Sequence, residues 1–468
     1  MELSGSKSCF ATVRAFQLQK FRVLTVRYDR GEMPLKQTLK QKAIEIGFDM
    51  AGIAPAGAWK DLEFARRWVE QGFGGEMQYL ENPRRHDPRL ILSSAQSVIC
   101  VGLVYNTPFP YSTEVAGMPS SEEPEAAHSP SSRREVPHAW VSRYAWGRDY
   151  HEIMRSKLEE LRKAIEELAP DTETRVYVDT GPIVERAFAR YSGIGWTGKN
   201  TCLINSSKGS WFFLGVILTS LALEPDLPAP DRCGSCTRCL DACPTGALTA
   251  PYVMDASRCI AYLNIELKGP IPEQFREKIG SNLFGCDICQ DVCPWNRRQK
   301  VEGRKQGNAV SGQLAASDTA TAGKGFGRAG AAATTLKEFQ PIEIALGASY
   351  GDCEISDGSS DRDPESGEDP APPPGRSFSL FNPPLDVLAQ LTEDDFRRTF
   401  LHSPIKRPKY RGWLRNLCVV MGNSGDRRFI PRLEKLARHE DAIVREHAEW
   451  ALQRLNGFAD RDGPLPAH

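Results

Sequence analysis

The chain has 468 residues, of which 40% are apolar and 25% charged, with a net charge of −1. That length is too great for one hydrophobic core and predicts two or three domains. The near-zero charge excludes a polybasic molecule, so a phosphate-binding surface has to be a local patch, and the absence of any run of 18 apolar residues excludes an ordinary transmembrane helix.

Residues 1–32 carry neither an apolar core of signal-peptide type nor a twin-arginine pair. They read as an N-terminal extension, with Met33 as an alternative start. Leu39, Ala43, Ile44 and Ile46 then predict a helix that stops at Gly47. Met50–Ala54 reads as a strand, and Leu62, Phe64, Ala65, Trp68 and Val69 form a second helical stripe ended by Gly72 and Gly74. Val98–Tyr105 is a strongly apolar strand. Residues 106–138, rich in Pro, Ser and Glu, predict a mobile surface loop. Ile153–Leu168 is a long amphipathic helix and Arg175–Val178 a strand, with Pro182 marking the next helix start. Leu203–Asn205 and Trp211–Thr219 add strands. The alternation of strands and helices predicts an α/β domain over 33–230.

The 13 cysteines are unevenly spread, and eight fall between Cys233 and Cys293. Cys233, Cys236, Cys239 and Cys243 followed by Pro244 have the C-x2-C-x2-C-x3-C-P spacing of bacterial ferredoxins, in which three thiolates grip one cubane and the fourth turns to the other. A second, altered run follows as Cys259, Cys286, Cys289 and Cys293-Pro294, its leading cysteine displaced by a helix-like insertion. By the crossover rule Cys233, Cys236, Cys239 and Cys293 hold one 4Fe–4S cluster, and Cys243, Cys259, Cys286 and Cys289 the other. Paired CxxC motifs also suit structural zinc, but this doubled pattern favours clusters. A ferredoxin-like domain over 231–300 moves single electrons, so the α/β domain has to hold the acceptor. Cys100 and Cys202, in apolar strands, read as core packing.

Residues 301–376 are dominated by Gly, Ala, Ser, Thr, Asp and Pro; most of this insert is expected to be disordered, because it cannot bury enough surface to offset chain entropy. Over 377–468, Leu414–Met421, Ile430–Ala437 and Ile443–Leu455 predict three short helices in a helical-repeat pattern. Too few to stand alone, they have to dock on the main body.

Several motifs together resemble the epoxyqueuosine reductase family: Ser142-Arg-Tyr-Ala-Trp146 continuing to His151, Asp179-Thr-Gly-Pro-Ile-Val-Glu185-Arg186, Gly195-Trp-Thr-Gly-Lys199-Asn200, the two cysteine runs ending at Trp295-Asn296, Arg415-Asn416, and Val444 to Leu452. The resemblance covers roughly 35–300 and 378–456. It implies a nitroreductase-like α/β domain that binds base-off cobalamin, and a C-terminal HEAT-like repeat that contacts tRNA. The implied activity is reduction of epoxyqueuosine to queuosine at the wobble position of tRNA, the last step of queuosine biosynthesis. A cobalamin and iron–sulfur reductive dehalogenase-like enzyme acting on a small molecule is the alternative.

The resemblance also assigns residues. Asp179 matches the family's proton donor; read alone, it would cap the helix expected at Pro182. As an acid it needs burial to lift its pKa toward neutrality. Arg143, Tyr144, Asp149, Tyr150 and His151 are expected at the corrin, with Asp149 as a helix cap in the competing reading. A lower-ligand histidine is not expected, since Asp149-Tyr-His151 is followed by Met154 where D-x-H-x-x-G needs Gly. Lys199 and Asn200 are expected on cobalamin or a nucleotide phosphate. Lys406, Arg407, Lys409, Arg411 and Arg415, interleaved with Tyr410 and Trp413, are expected to grip tRNA, against the ordinary reading of a solvated helix face. Without a G-x-G-x-x-G fingerprint the electrons have to come from an external donor, a ferredoxin, flavodoxin or reductase. A cytoplasmic monomer completes the expectation.

Overall fold

The structure, a computed structural model, describes residues 33–57, 59–115, 136–296, 336–345 and 377–459. The expected extension 1–32, most of the loop 106–138 and most of the insert 301–376 lie outside the described residues.

The elements of the first domain follow its apolar periodicity. Helix α1 (Leu35–Glu45), strand β1 (Met50–Pro55), helix α2 (Lys60–Glu70) and strand β2 (Ser97–Val104) lead to the long helix α3 (Tyr150–Leu168), strand β3 (Thr174–Tyr177), helix α4 (Glu185–Tyr191) and strand β4 (Phe212–Thr219). The sheet order is β1-β2-β4-β3 and every pairing is antiparallel, with Ser97 and Thr174 both opposite Thr219. The α/β alternation is therefore present without the parallel crossovers it usually signals. Strands β2 and β4 are continuous apolar runs because both faces are covered. Leu39, Met154, Leu158, Leu161 and Ile165 pack on Ile99, Val101 and Ile217 from one side. Leu62, Ala187 and Phe188 pack on Val98, Cys100, Val216 and Leu218 from the other.

Residues 231–296 wrap the cysteine motifs around the short helical turns Arg238–Asp241 and Ile288–Asp291. The insertion after Cys259 is a docking platform. Helix α5 (Lys409–Asn423) lies against it, followed by α6 (Ile430–Leu436) and α7 (Ala442–Ala459). Arg415 and Asn416, both buried, reach its backbone: Arg415 donates to the carbonyls of Leu263, Leu267 and Gly269 at 2.7–2.8 Å, and Asn416 donates to Asn264 O at 2.7 Å. The docking predicted for the C-terminal helices is thus achieved through one apolar core, shared by Trp140, Trp146, Phe284, Leu380, Trp413, Leu417 and Val444.

Within the insert expected to be disordered, 336–345 is a correction. Phe339 is buried in the first core and packs 5.2 Å from Phe213. Glu343–Ala345 pairs antiparallel with Ser377–Ser379. The backbone approaches so closely that a Cβ on Gly147 would stand 2.1 Å from Glu338 O. Apolar Leu336, Phe339, Ile342 and Ile344 give this stretch enough surface to bury inside a low-complexity segment.

His447 illustrates how the docking responds to pH. Fully buried, it accepts from Ile271 N–H at 3.1 Å through Nε2, while Nδ1 faces Ile443 O at 2.7 Å, so it is the neutral tautomer. Burial, with the Arg276 charge, lowers its pKa to about 4. The unfolded chain takes up this proton below its ordinary value of about 6.5 and the folded chain does not. Stability is therefore complete above that value and is lost as pH falls toward 4, by on the order of 3 kcal/mol. Acid titration of the melting temperature is expected to flatten over that window in His447→Gln.

Candidate active site and cluster domain

Strand β3 ends at Tyr177, and the chain turns sharply at Asp179, whose φ of 52° is left-handed and strained for a residue with a side chain. The helix expected at Pro182 begins only at Glu185, behind Val184 as its N-cap. Asp179 therefore does not cap it. Its carboxylate, with 57% of the side chain exposed, accepts from Tyr150 Oη at 2.9 Å and stands 3.6 Å from His151 Nε2, an ion-pair distance. Tyr150 and His151 open helix α3, and their rings stack at 4.0 Å. Tyr150 also lies flat on Phe213, at 4.2 Å. His151 sits between two acids, since its Nδ1 meets Asp149 Oδ1 at 2.7 Å.

The electrostatics invert the expectation for Asp179. Burial opposes ionisation, but His151 and Tyr150 outweigh it and hold the carboxyl at about 2. Burial likewise opposes the imidazolium, yet Asp149 and Asp179 lift His151 to about 9. At neutral pH the proton rests on His151 and Asp179 is charged. Glu185, missed as a titrating group by the sequence reading, lies close by. Burial, with the Asp179 charge in support, raises it to about 7, and its Oε1 is buried without a hydrogen-bond partner.

Other expected site residues have internal roles. Arg143 is 1% exposed; it donates to Thr107 and to the carbonyls of Phe109 and Pro110 at 2.7–3.1 Å, and its guanidinium lies 4.5 Å from the Trp146 ring. These contacts make Arg143 a tie within the core. Asp149 caps α3 by accepting from His151 N–H at 3.1 Å, as the competing reading held. Tyr144 packs edge-on to Tyr150 at 6.2 Å. Lys199 Nζ donates to Gly234 O at 2.7 Å and Cys236 O at 2.9 Å, and Asn200 Nδ2 to Cys289 O at 3.2 Å. That Gly-rich turn ties together both cysteine loops. The basic segment is also partly spent: Arg415 is buried, Arg407 pairs with Glu266 at 2.6 Å, Arg411 donates to Lys268 O at 2.8 Å, and Lys406 stands 3.5 Å from Asp149. Lys409 is exposed, at a φ of 62°.

The eight motif cysteines form no disulfide and fall into two electrostatic neighbourhoods. Cys239 feels Cys233 and Cys236, and Cys293 feels Cys233 and Cys239. Cys286 and Cys289 feel Cys259, and Cys243 is felt by Cys259 and Cys286. Cys202 is felt by cysteines of both neighbourhoods. Among the described residues no three His, Cys, Asp or Glu side chains converge on a point for a single metal ion. Burial pushes Cys293 up to about 12 and Cys239 to about 11, so these thiols become ligating thiolates only with metal beside them. Cys202, expected as core packing, lies against the Cys289 thiol.

Comparison with known proteins adds two family matches: a 4Fe–4S double cluster binding domain over 232–296, and the epoxyqueuosine reductase QueG model over 85–180. Curated epoxyqueuosine reductases of Xanthomonas campestris and Pseudomonas aeruginosa are 33% and 34% identical over 88% and 90% of this chain, and 94% of each of theirs. A solved epoxyqueuosine reductase in complex with an epoxyqueuosine-modified tRNA-Tyr stem loop superposes with a TM-score of 0.65 at 28% identity, covering 91% of this chain and 92% of that one. The structure of the Streptococcus thermophilus enzyme gives 0.63 at 28% identity, over 93% and 96%.

Proposed function

This chain belongs to the epoxyqueuosine reductase family, and from that premise we propose how its own residues carry the reaction. The chain is an oxidoreductase that reduces epoxyqueuosine in tRNA to queuosine. An epoxide becomes an alkene by losing its oxygen as water, which takes two electrons and two protons, one from the site's own residues and one from solvent. The double cluster domain supplies the electrons one at a time, with Cys233, Cys236, Cys239 and Cys293 on one 4Fe–4S cluster and Cys243, Cys259, Cys286 and Cys289 on the other.

Base-off cobalamin is the acceptor we propose in the α/β domain, whose architecture we read as nitroreductase-like. The residues around Asp179 fit such a group: its amide-fringed rim would satisfy the buried orphan atom Glu185 Oε1. Tyr144, Tyr150 and His151 are the candidates to touch it. When bound, cobalamin would supply a two-electron nucleophilic metal.

The observation that carries this reading is the Tyr150–Asp179–His151 group. His151 stores the proton and the exposed Asp179 delivers it. Substrate seated on Asp179 strips its water and raises its pKa, drawing the His151 proton toward the departing oxygen. Tyr150 holds the carboxylate in place. The C-terminal helices, read as a HEAT-like repeat, carry the tRNA side, with Lys406, Arg407, Lys409 and Arg411 as candidate contacts. Among the described residues no helix is long and apolar enough to cross a membrane. We propose a cytoplasmic monomer fed by a ferredoxin, flavodoxin or separate reductase.

The test is anaerobic reconstitution of the clusters, addition of cobalamin and a strong reductant, and incubation with tRNA from cells lacking this activity. Nucleoside mass spectrometry then follows loss of one oxygen from epoxyqueuosine. Conversion is the expected result. Turnover of a halogenated organic without turnover of tRNA would move the assignment to the dehalogenase-like alternative. The pH profile is a second check. Because the His151 pKa is raised, its proton is held below about 9 and lost above it, so activity is expected to fall through that value. A basic limb that stays put in His151→Gln would belong to another group.

A further inference from the structure

Tyr79 lies on the lip of this site, on the 3-10 turn Gln78–Glu81, with 49% of its surface exposed. Two guanidiniums from different parts of the chain, Arg85 and Arg407, each stand 5.9 Å from its ring centroid. Both are held in position from behind. Arg85 donates to Gly181 O at 3.0 Å, in the loop that carries Asp179, and Arg407 is paired with Glu266 through two nitrogens, at 2.6 and 3.1 Å. Arg407 and Tyr79 are also within electrostatic reach of Asp179. Gly181 itself cannot carry a side chain, since a Cβ there would stand 2.2 Å from the Tyr177 ring.

We propose that Tyr79 stacks on a nucleobase of the anticodon loop beside the reacting nucleoside, while Arg85 and Arg407 face the loop phosphates. The proposal rests on the tRNA reading above and deepens it. Single-stranded RNA loops are recognised by splaying bases onto aromatic rings and neutralising the adjacent backbone. Both guanidiniums stand at the outer limit of a cation–π contact, and 49% of Tyr79 remains exposed beside them. The two arginines, anchored to the Asp179 loop and to the cluster-domain insertion, tie the RNA position to both halves of the site.

The test uses the cluster-reconstituted protein and a fluorescently labelled, unmodified anticodon stem-loop RNA. Tyr79→Ala is expected to weaken binding roughly 5- to 150-fold, the range for loss of one stacked base. Tyr79→Phe is expected to bind as wild type. Tyr79→Leu keeps the apolar bulk but has no π face, and should bind as weakly as Tyr79→Ala. Arg85→Met should lower the slope of log affinity against log salt by about one. In the conversion assay Tyr79→Ala should raise KM and leave kcat in place. If wild type converts epoxyqueuosine in tRNA and Tyr79→Leu binds RNA within about twofold of it, the stacking contact is wrong and the tRNA reading stands. If wild type neither binds nor converts tRNA, both fall. Slower cluster reduction by a ferredoxin, with RNA binding unchanged, would reassign the lip to the electron donor and overturn the proposal.

Discussion

Asp179→Asn is expected to lower turnover of epoxyqueuosine-tRNA by roughly 10²- to 10⁴-fold, the scale of a lost general acid. Asparagine keeps the shape and still accepts from Tyr150 Oη, so the fold and the cluster spectra should not change. What it removes is the charge facing His151 Nε2 at 3.6 Å and the atom that passes the proton on. The His151 pKa should then drop from about 9 toward its ordinary value, though Asp149 at 2.7 Å keeps part of the shift. Histidine NMR or the basic limb of the pH profile reads this independently of rate. Turnover within about threefold of wild type would return Asp179 to a structural role.

Arg415→Met is expected to be the most damaging single change away from the chemistry. Its guanidinium is 1% exposed and donates to three backbone carbonyls of the insertion between Cys259 and Cys286. Methionine fills the space but leaves those acceptors buried and unpaired, at a cost on the order of 3–5 kcal/mol. The damage should begin locally, as undocking of α5 from the insertion, and the cluster assigned to Cys243, Cys259, Cys286 and Cys289 should become more labile to chelators. The salt dependence of RNA binding in Arg415→Met, which removes the charge, separates the two roles given to this residue. A buried clamp predicts an unchanged salt dependence of RNA binding, whereas a phosphate contact predicts a slope lower by about 0.7 to 0.9. The second outcome would restore Arg415 to the RNA surface.

The basic segment illustrates why charge patterns are the hardest part of a sequence to read. Lys406, Arg407, Lys409, Arg411 and Arg415 look alike in one dimension. In the fold Arg415 turns inward to carbonyls, Arg407 and Arg411 span to the insertion more than 140 residues earlier, Lys406 stands 3.5 Å from Asp149, and among the described residues of this segment Lys409 alone is left outside such ties. Lys199 behaved similarly: a lysine in a Gly-rich turn suggests a phosphate, but two carbonyls of the cysteine loop lie within reach. A cation goes to the nearest concentration of acceptors, and which acceptors are nearest is a property of long-range contacts. By the same logic Tyr79 and Arg85 carried no signal, because an exposed tyrosine becomes notable only when two arginines distant in sequence are brought beside it.

The sequence by itself determined the cysteine framework, the apolar strands and helices of the first domain, and the docking of the C-terminal helices, since each depends on short spacing or on periodicity that local geometry enforces. It also determined that Asp179 lies just past the end of a strand. Only the tertiary structure decided that the central sheet is antiparallel, that 336–345 is held in the core by Phe339 and Ile344, and where the proton rests. A pKa is set by the charges within a few ångströms. Asp149 and Asp179 meet across His151 only once α3 and the end of β3 are packed side by side.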